Sequence, residues 1–129
     1  MHTTTSAPRG VILFAHGSRD PLWSAPIEAV GRHIQQHQGG APIAVRCAYL
    51  ELTAPDLPSA VQDLVDGGIR QITICPMFLG VGRHAREDLP ALVQALRTAH
   101  PDTDIQVQSA IGEDPRMVAL MASIACEPQ

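Results

Sequence analysis

The run Ile72-Thr-Ile-Cys-Pro-Met-Phe-Leu79 is almost wholly apolar and carries β-branched side chains. It gives way at once to Gly80-Val-Gly-Arg-His-Ala-Arg-Glu-Asp88, a polar stretch opened by two glycines that let the backbone turn. A strand with one wet face would alternate apolar and polar residues, so this continuous run predicts a strand covered on both faces. Strands of that kind belong to parallel sheets, and the remainder of the chain must then supply helices for both sides.

The same grammar recurs along the sequence. Gly10-Val-Ile-Leu-Phe-Ala15 is a short apolar strand that ends in His16-Gly-Ser-Arg-Asp-Pro21, and Pro42-Ile-Ala-Val-Arg-Cys-Ala-Tyr49 is a second that ends in Leu50-Glu51-Leu52. A fourth is expected over Asp104–Ala110. Between them, Ile27, Val30 and Ile34 recur at helical spacing, with Gly39-Gly40 closing that helix. Thr53-Ala-Pro-Asp56 reads as a helix start, with a capping-box-like pair, a proline in the first turn, and Leu57, Val61, Leu64 and Val65 as the buried face before Gly67-Gly68. Asp88 is expected to cap the next helix, with Leu89 and Pro90 in its first turn and Leu92, Val93 and Leu96 on the same face as Leu89. Asp114 and Pro115 open the last, whose Met117, Leu120, Met121 and Ile124 should point inward.

Four strands alternating with helices define an α/β fold: a four-stranded parallel sheet with helices on both faces, in three α/β/α layers. A flavodoxin-like order of 2-1-3-4 would make strands 1 and 3 neighbours where the order reverses, and ligands of such sheets bind at that reversal. His16 and His84 would then overhang one crevice, with Glu51 on the adjacent strand end. Each histidine taken alone is as readily a cap or a surface group, but two placed alike with a carboxylate nearby are not. His2, His33, His37 and His100 read as solvated, Glu87 and Asp88 as acids favoured at a helix N-terminus, and Trp23 as a lid over the first helix or, if exposed, a face for a flat ligand.

The 129 residues suffice for one domain, expected over 10–126 after a flexible leader over 1–9. A formal charge of −4 with no basic stripe argues against nucleic acid. No apolar run is long enough for a bilayer and the leader lacks an apolar signal core, so no membrane association and a cytoplasmic location are expected. Cys47, Cys75 and Cys126 form no C-x-x-C pair, and the first two read as small core residues rather than ligands. The G-x-G-x-x-G, P-loop and G-x-S-x-G patterns are all missing. Two imidazoles and a carboxylate instead suit a borderline divalent ion such as Co2+, Ni2+, Fe2+ or Zn2+, and imidazole is also a competent proton acceptor near neutrality.

Ala15-His-Gly-Ser-Arg-Asp20, Ala48-Tyr-Leu-Glu51 and Pro76-Met-Phe-Leu-Gly-Val-Gly-Arg-His-Ala-Arg-Glu-Asp-Leu-Pro90 together resemble the short CbiX/SirB-type sirohydrochlorin chelatases, over about Gly10 to Met121. The resemblance implies a chelatase-like half unit that inserts a divalent metal into sirohydrochlorin, a modified tetrapyrrole, on the way to cobalamin, sirohaem or a nickel tetrapyrrole. It implies Co2+ as the foremost metal substrate, with Fe2+ or Ni2+ as alternatives, and no permanent cofactor. His16 and His84 would hold the metal. His16, His84 and Glu51 would be the catalytic groups, and Ser18, Arg19, Glu51, Leu79, Gly80, Val81, Gly82, Arg83 and His84 would contact the substrate. Arg19, Arg83 and Arg86 could meet the substrate's carboxylates. The short form is a homodimer in this family, and a second subunit would supply the opposite wall for a broad, flat macrocycle. Met77 stands where an aliphatic residue would be usual, and the histidine-rich tail of some relatives is absent. The competing readings are a carrier that binds metal or tetrapyrrole without turnover and, more weakly, a metal-dependent hydrolase.

Overall fold

In the computed structural model of the chain, residues 7–36, 39, 40 and 42–128 are described, with all their side chains except that of His84. The leader residues 1–6, with His2, and also His37 lie outside the described residues. Four strands, β1 (Arg9–Ala15), β2 (Ile43–Tyr49), β3 (Gln71–Pro76) and β4 (Asp104–Val107), form one parallel sheet in the order β2-β1-β3-β4. The helices are α1 (Ala25–Gln36), α2 (Leu57–Asp66), α3 (Arg83–Ala99) and α4 (Pro115–Ala125), with one 3₁₀ turn over Ile111–Glu113. The reversal between β1 and β3 expected from the sequence is therefore present.

Alternate residues of the strands feed two cores of unequal depth. Ile12, Phe14, Ile72 and Ile74 turn toward α2 and α3 and are sealed by Leu57, Val61, Leu64, Val93 and Leu96. Each such side chain stabilises the fold by roughly 1.5–3 kcal/mol through burial, so this face carries most of the hydrophobic drive. Leu13, Val45 and Cys75 turn the other way, toward Ile27 and Ile34 of α1. Gly31 of α1 is buried against the sheet, where an added Cβ would lie 3.4 Å from a methyl of Val45, and Val30, 38% exposed, lines an open apolar groove with Leu13 and Ile34.

Four expectations need correction. Strands β3 and β4 stop earlier than their apolar runs, at Pro76 and Val107, although one further bond from the Met77 amide to the Phe14 carbonyl (2.7 Å) continues the β1 pairing. Helix α2 starts at Leu57 with Asp56 as its cap, accepting from the Ser59 amide at 2.9 Å, so Thr53 and Pro55 precede the helix. Helix α3 starts at Arg83, capped by Gly82, and contains Asp88 and Pro90 instead of beginning there. Pro90 lies on the solvent side, where a carbonyl deprived of its donor by the ring can bond water.

The fourth correction concerns α4, which buries no residue. Leu120 and Ile124, expected to point inward, are more than half exposed, as is Val118, while Met117 and Met121 are half-buried. Helical spacing tells which residues share a stripe but not what the stripe meets. Here the short β4 leaves α4 beside the 3₁₀ turn, and an apolar groove of about 400 Å³ lined by Val11, Leu13, Ile34, Cys75, Met77 and Met117 stays open.

Candidate active site

The rim at the carboxyl ends of β1, β2 and β3 is assembled by backbone bonds that outrun the strands. The Leu50 amide donates to the Ala15 carbonyl (2.9 Å) and the Glu51 amide to the His16 carbonyl (3.1 Å), so His16 and Glu51 are held as neighbours by the main chain. Gly17 then turns with φ +104°, and its Cα faces the Glu51 carbonyl so closely that a Cβ would stand 1.7 Å from that oxygen. Only glycine meets both conditions. Ser18 follows, and Thr53 clamps it: the Thr53 hydroxyl donates to the Ser18 carbonyl at 2.8 Å and accepts from the Ser18 amide at 3.0 Å.

Side chains complete the arrangement. His16 Nε2 lies 3.5 Å from Glu51 Oε1, at the outer limit of a hydrogen bond, and both groups are more than half exposed. The pair is thus poised and reachable. Phe78, just past β3, meets the His16 ring edge-on (centroids 6.4 Å apart) and leans on Phe14 behind it (6.0 Å), so the imidazole rests on an apolar shelf fixed by the core. The loop after Phe78 is held from below, because the Gly112 amide donates to the Phe78 carbonyl at 2.9 Å and glycine at 112 lets the backbone of Leu79 lie against it.

An open cavity of about 470 Å³ lies over this rim, lined by His16, Leu50, Glu51 and Asp88. Leu22, Leu52 and Leu79, on the three loops leaving β1, β2 and β3, are 78%, 56% and 72% exposed. Ser18 is half-buried, Arg19, Gly80, Gly82, Arg83 and Arg86 are exposed, and Val81 is half-buried. Arg83 pairs with Glu87 one turn on (3.2 Å). His84 is the second residue of α3, on the segment that leaves β3 beside the His16 loop; its side chain lies outside the described residues. Among the described residues, no three His, Cys, Asp or Glu side chains come close enough together to hold a metal ion.

The remaining candidates resolve as follows. Burial pushes the Cys75 thiol up, and burial followed by the Glu28 charge does the same for Cys47, so neither thiol is disposed toward the thiolate form that a metal would need. Cys126 is exposed. Trp23 packs edge-on against Tyr49 at the end of β2 (6.1 Å) instead of covering α1. His33 is exposed on α1, and His100 is half-buried at the end of α3, where solvation was expected.

Sequence reasoning missed Thr53, Phe78 and Asp88. Thr53 has the spacing of half a capping box, and its position two residues past Glu51 is the available clue to its clamp on Ser18. Phe78 was read as strand interior, and its aromatic ring at a strand end next to glycines was the available signal.

A parallel sheet in this order, with an imidazole and a carboxylate meeting above its switch point, defines a doubly wound α/β protein whose site for a small molecule or ion lies at the carboxyl rim. The family model for CbiX matches residues 10–127. The sirohydrochlorin cobaltochelatase of Methanothermobacter thermautotrophicus is 31% identical over 127 residues, which cover 87% of each chain. The chain belongs to the CbiX family. A crystal structure of a putative cobalamin biosynthesis CbiX protein from Marinobacter aquaeolei superimposes with a TM-score of 0.77 at 31% identity, over 92% of this chain and 94% of that one. The sirohydrochlorin chelatase SirB from Bacillus subtilis, in complex with cobalt, gives 0.71 at 23% identity, a likeness of fold, over 91% of this chain and 51% of that chain.

Proposed function

We propose that this chain is a sirohydrochlorin chelatase that inserts a divalent metal, Co2+ foremost and Fe2+ or Ni2+ as alternatives, into the tetrapyrrole. One observation carries the proposal: the His16–Glu51 pair, 3.5 Å apart and accessible, faces an open cavity at the sheet reversal of a CbiX-family chain. The chemistry fits. Insertion must strip water from the ion and take two protons from pyrrole nitrogens, so the ligands must release the ion once four nitrogens compete for it. Imidazole suits that exchange better than a thiolate cage. His16 and His84 hold the incoming ion, and Glu51 orients the His16 ring as carboxylates do for metal-bound histidines. The exposed Leu22, Leu52 and Leu79 offer apolar contact to the macrocycle, and Arg19, Arg83 and Arg86 give a net acidic protein a local attraction for its carboxylates. Ser18 and the loop Leu79–His84 line the substrate's approach.

Purified protein mixed with sirohydrochlorin and Co2+ is expected to change the macrocycle's absorbance well above the rate of the uncatalysed mixture. His84→Ala is expected to remove most of that advantage, and equal rates would refute the role given to His84. A metal or tetrapyrrole carrier predicts saturable binding with no acceleration. The same assay run in competition among Co2+, Fe2+ and Ni2+ ranks the metals.

The working unit is a homodimer in the cytoplasm. An apolar helix with no buried residue, beside an apolar groove, normally has a partner. The SirB chain, about twice as long, carries a second half where this chain would use a second copy. Sedimentation is expected to give twice the chain mass at assay concentrations. A fully active monomer would exclude the dimer. Among the described residues, no helix is long and apolar enough to cross a membrane.

A further inference from the structure

Asp88 does not do what its sequence position suggests. Helix α3 begins at Arg83 and is capped by Gly82, so Asp88 sits beyond the first turn, where a carboxylate no longer serves the free amides of the helix start. Its neighbour Glu87 pairs with Arg83, whereas the Asp88 carboxylate has no hydrogen bond or ion pair to any described group and lines the cavity with His16, Leu50 and Glu51. It therefore lines the same open space as the His16–Glu51 pair, one helical turn after His84 in the chain. It does not form a metal-holding cluster with the described residues His16 and Glu51.

We propose that Asp88 is the second proton acceptor of metal insertion, an inference that rests on the chelatase reading above. A dication entering the macrocycle displaces two N–H protons. Each N–H bond breaks with its electron pair left on nitrogen, where it forms the new metal–nitrogen bond, and the charge of the macrocycle is unchanged overall. His16 and Glu51 lie side by side, so the first proton to reach the pair neutralises its single negative charge, and a second would leave the pair net positive beside an incoming dication. The second proton passes to a carboxylate oxygen of Asp88 on the α3 wall, directly or through one water of the cavity. The two protons then go to bases on different elements, the pair just past β1 and β2 and the carboxylate on α3.

The test compares Asp88→Asn, Asp88→Ala and the unaltered protein in Co2+ insertion into sirohydrochlorin, with kcat and the KM for each substrate resolved. The unaltered protein reports on the chelatase reading itself: if it gives no acceleration, that reading fails whatever the variants do. Given acceleration, Asp88→Asn keeps the size and loses the basicity, and kcat is expected to fall about a hundredfold, the lower range for a positioned proton acceptor. Both KM values should stay near those of the unaltered protein, and formate should raise the rate of Asp88→Ala by supplying a free carboxylate to the open cavity. Melting curves matching the unaltered protein show that the fold is intact, as expected for an exposed residue. An unchanged kcat in Asp88→Asn overturns the proposal. So does a loss carried wholly by the KM for Co2+, which would make Asp88 a metal-holding group, or an Asp88→Ala rate that formate leaves unchanged.

Discussion

Gly17→Ala is expected to lower the melting temperature by about 10 °C and to remove nearly all activity. The backbone at Gly17 has φ +104°, which for a residue with a Cβ costs roughly 1–3 kcal/mol. The new methyl would also fall on the Glu51 carbonyl oxygen, so the loop must move. That movement breaks the Glu51 amide bond to the His16 carbonyl and loosens the Thr53 clamp on Ser18, each worth about 1 kcal/mol. The lower end of that sum, about 3 kcal/mol, converts in a chain of this size to the stated shift. Gly39→Ala is the control: no described atom lies within 4 Å of its Cβ position, and its stability should change by no more than about 0.5 kcal/mol. Calorimetry on both variants checks the contrast. Overlapping curves for Gly17→Ala and the unaltered protein would mean that the loop relaxes without cost and that the rim is not built on this glycine.

The parallel sheet was legible because the first and third strands run apolar without alternation and strands and helices take turns along the chain, and its order matches the flavodoxin-like order expected for such a sheet. Strand ends were less legible: Met77 and Phe78 are as apolar as Ile74, yet Phe78 leaves the ladder to support His16. The start of α3 was misjudged because Asp88 and Pro90 have the composition of a first turn, while Gly82 caps the helix earlier through backbone geometry alone, with no side-chain signal. Asp56 and Asp114 were legible as helix starts because each accepts a hydrogen bond from a backbone amide of the first turn, at 2.9 and 2.8 Å. For α4 the apolar stripe was visible, but helical spacing does not say what the stripe meets, and here Val118, Leu120 and Ile124 meet no core.

The site followed the same division. His16 and Glu51 could be named because each sits where an apolar strand turns polar, and parallel pairing of β1 with β2 brings those points together. What the spacing could not give was the support beneath them. The Thr53 clamp joins residues 35 positions apart, and the Phe78 shelf comes from a third strand. Contacts of that kind depend on the register between strands, and a single sequence does not carry register.

His16→Ala is expected to cut the rate of Co2+ insertion about a thousandfold, within the range for a group that both holds and deprotonates, while leaving the melting temperature almost unchanged. The two halves have separate causes. The ring is more than half exposed and its contact with Glu51 is only poised at 3.5 Å, so removing it costs the fold little, as for an exposed pair in general. On the proposed reading, its loss nevertheless takes away a nitrogen donor to the ion and leaves Glu51 without the group it would orient. Glu51→Gln separates these contributions, because the amide can still touch His16 but no longer draws a proton toward it. A fall smaller than that of His16→Ala, seen in kcat with the KM for Co2+ preserved, is expected from the amide variant. Gly17→Ala loses stability and activity together, whereas His16→Ala should lose activity alone. If His16→Ala retained its rate, or lost rate only in proportion to lost stability, the imidazole would be part of the loop's scaffold and the ion would be held elsewhere on the rim.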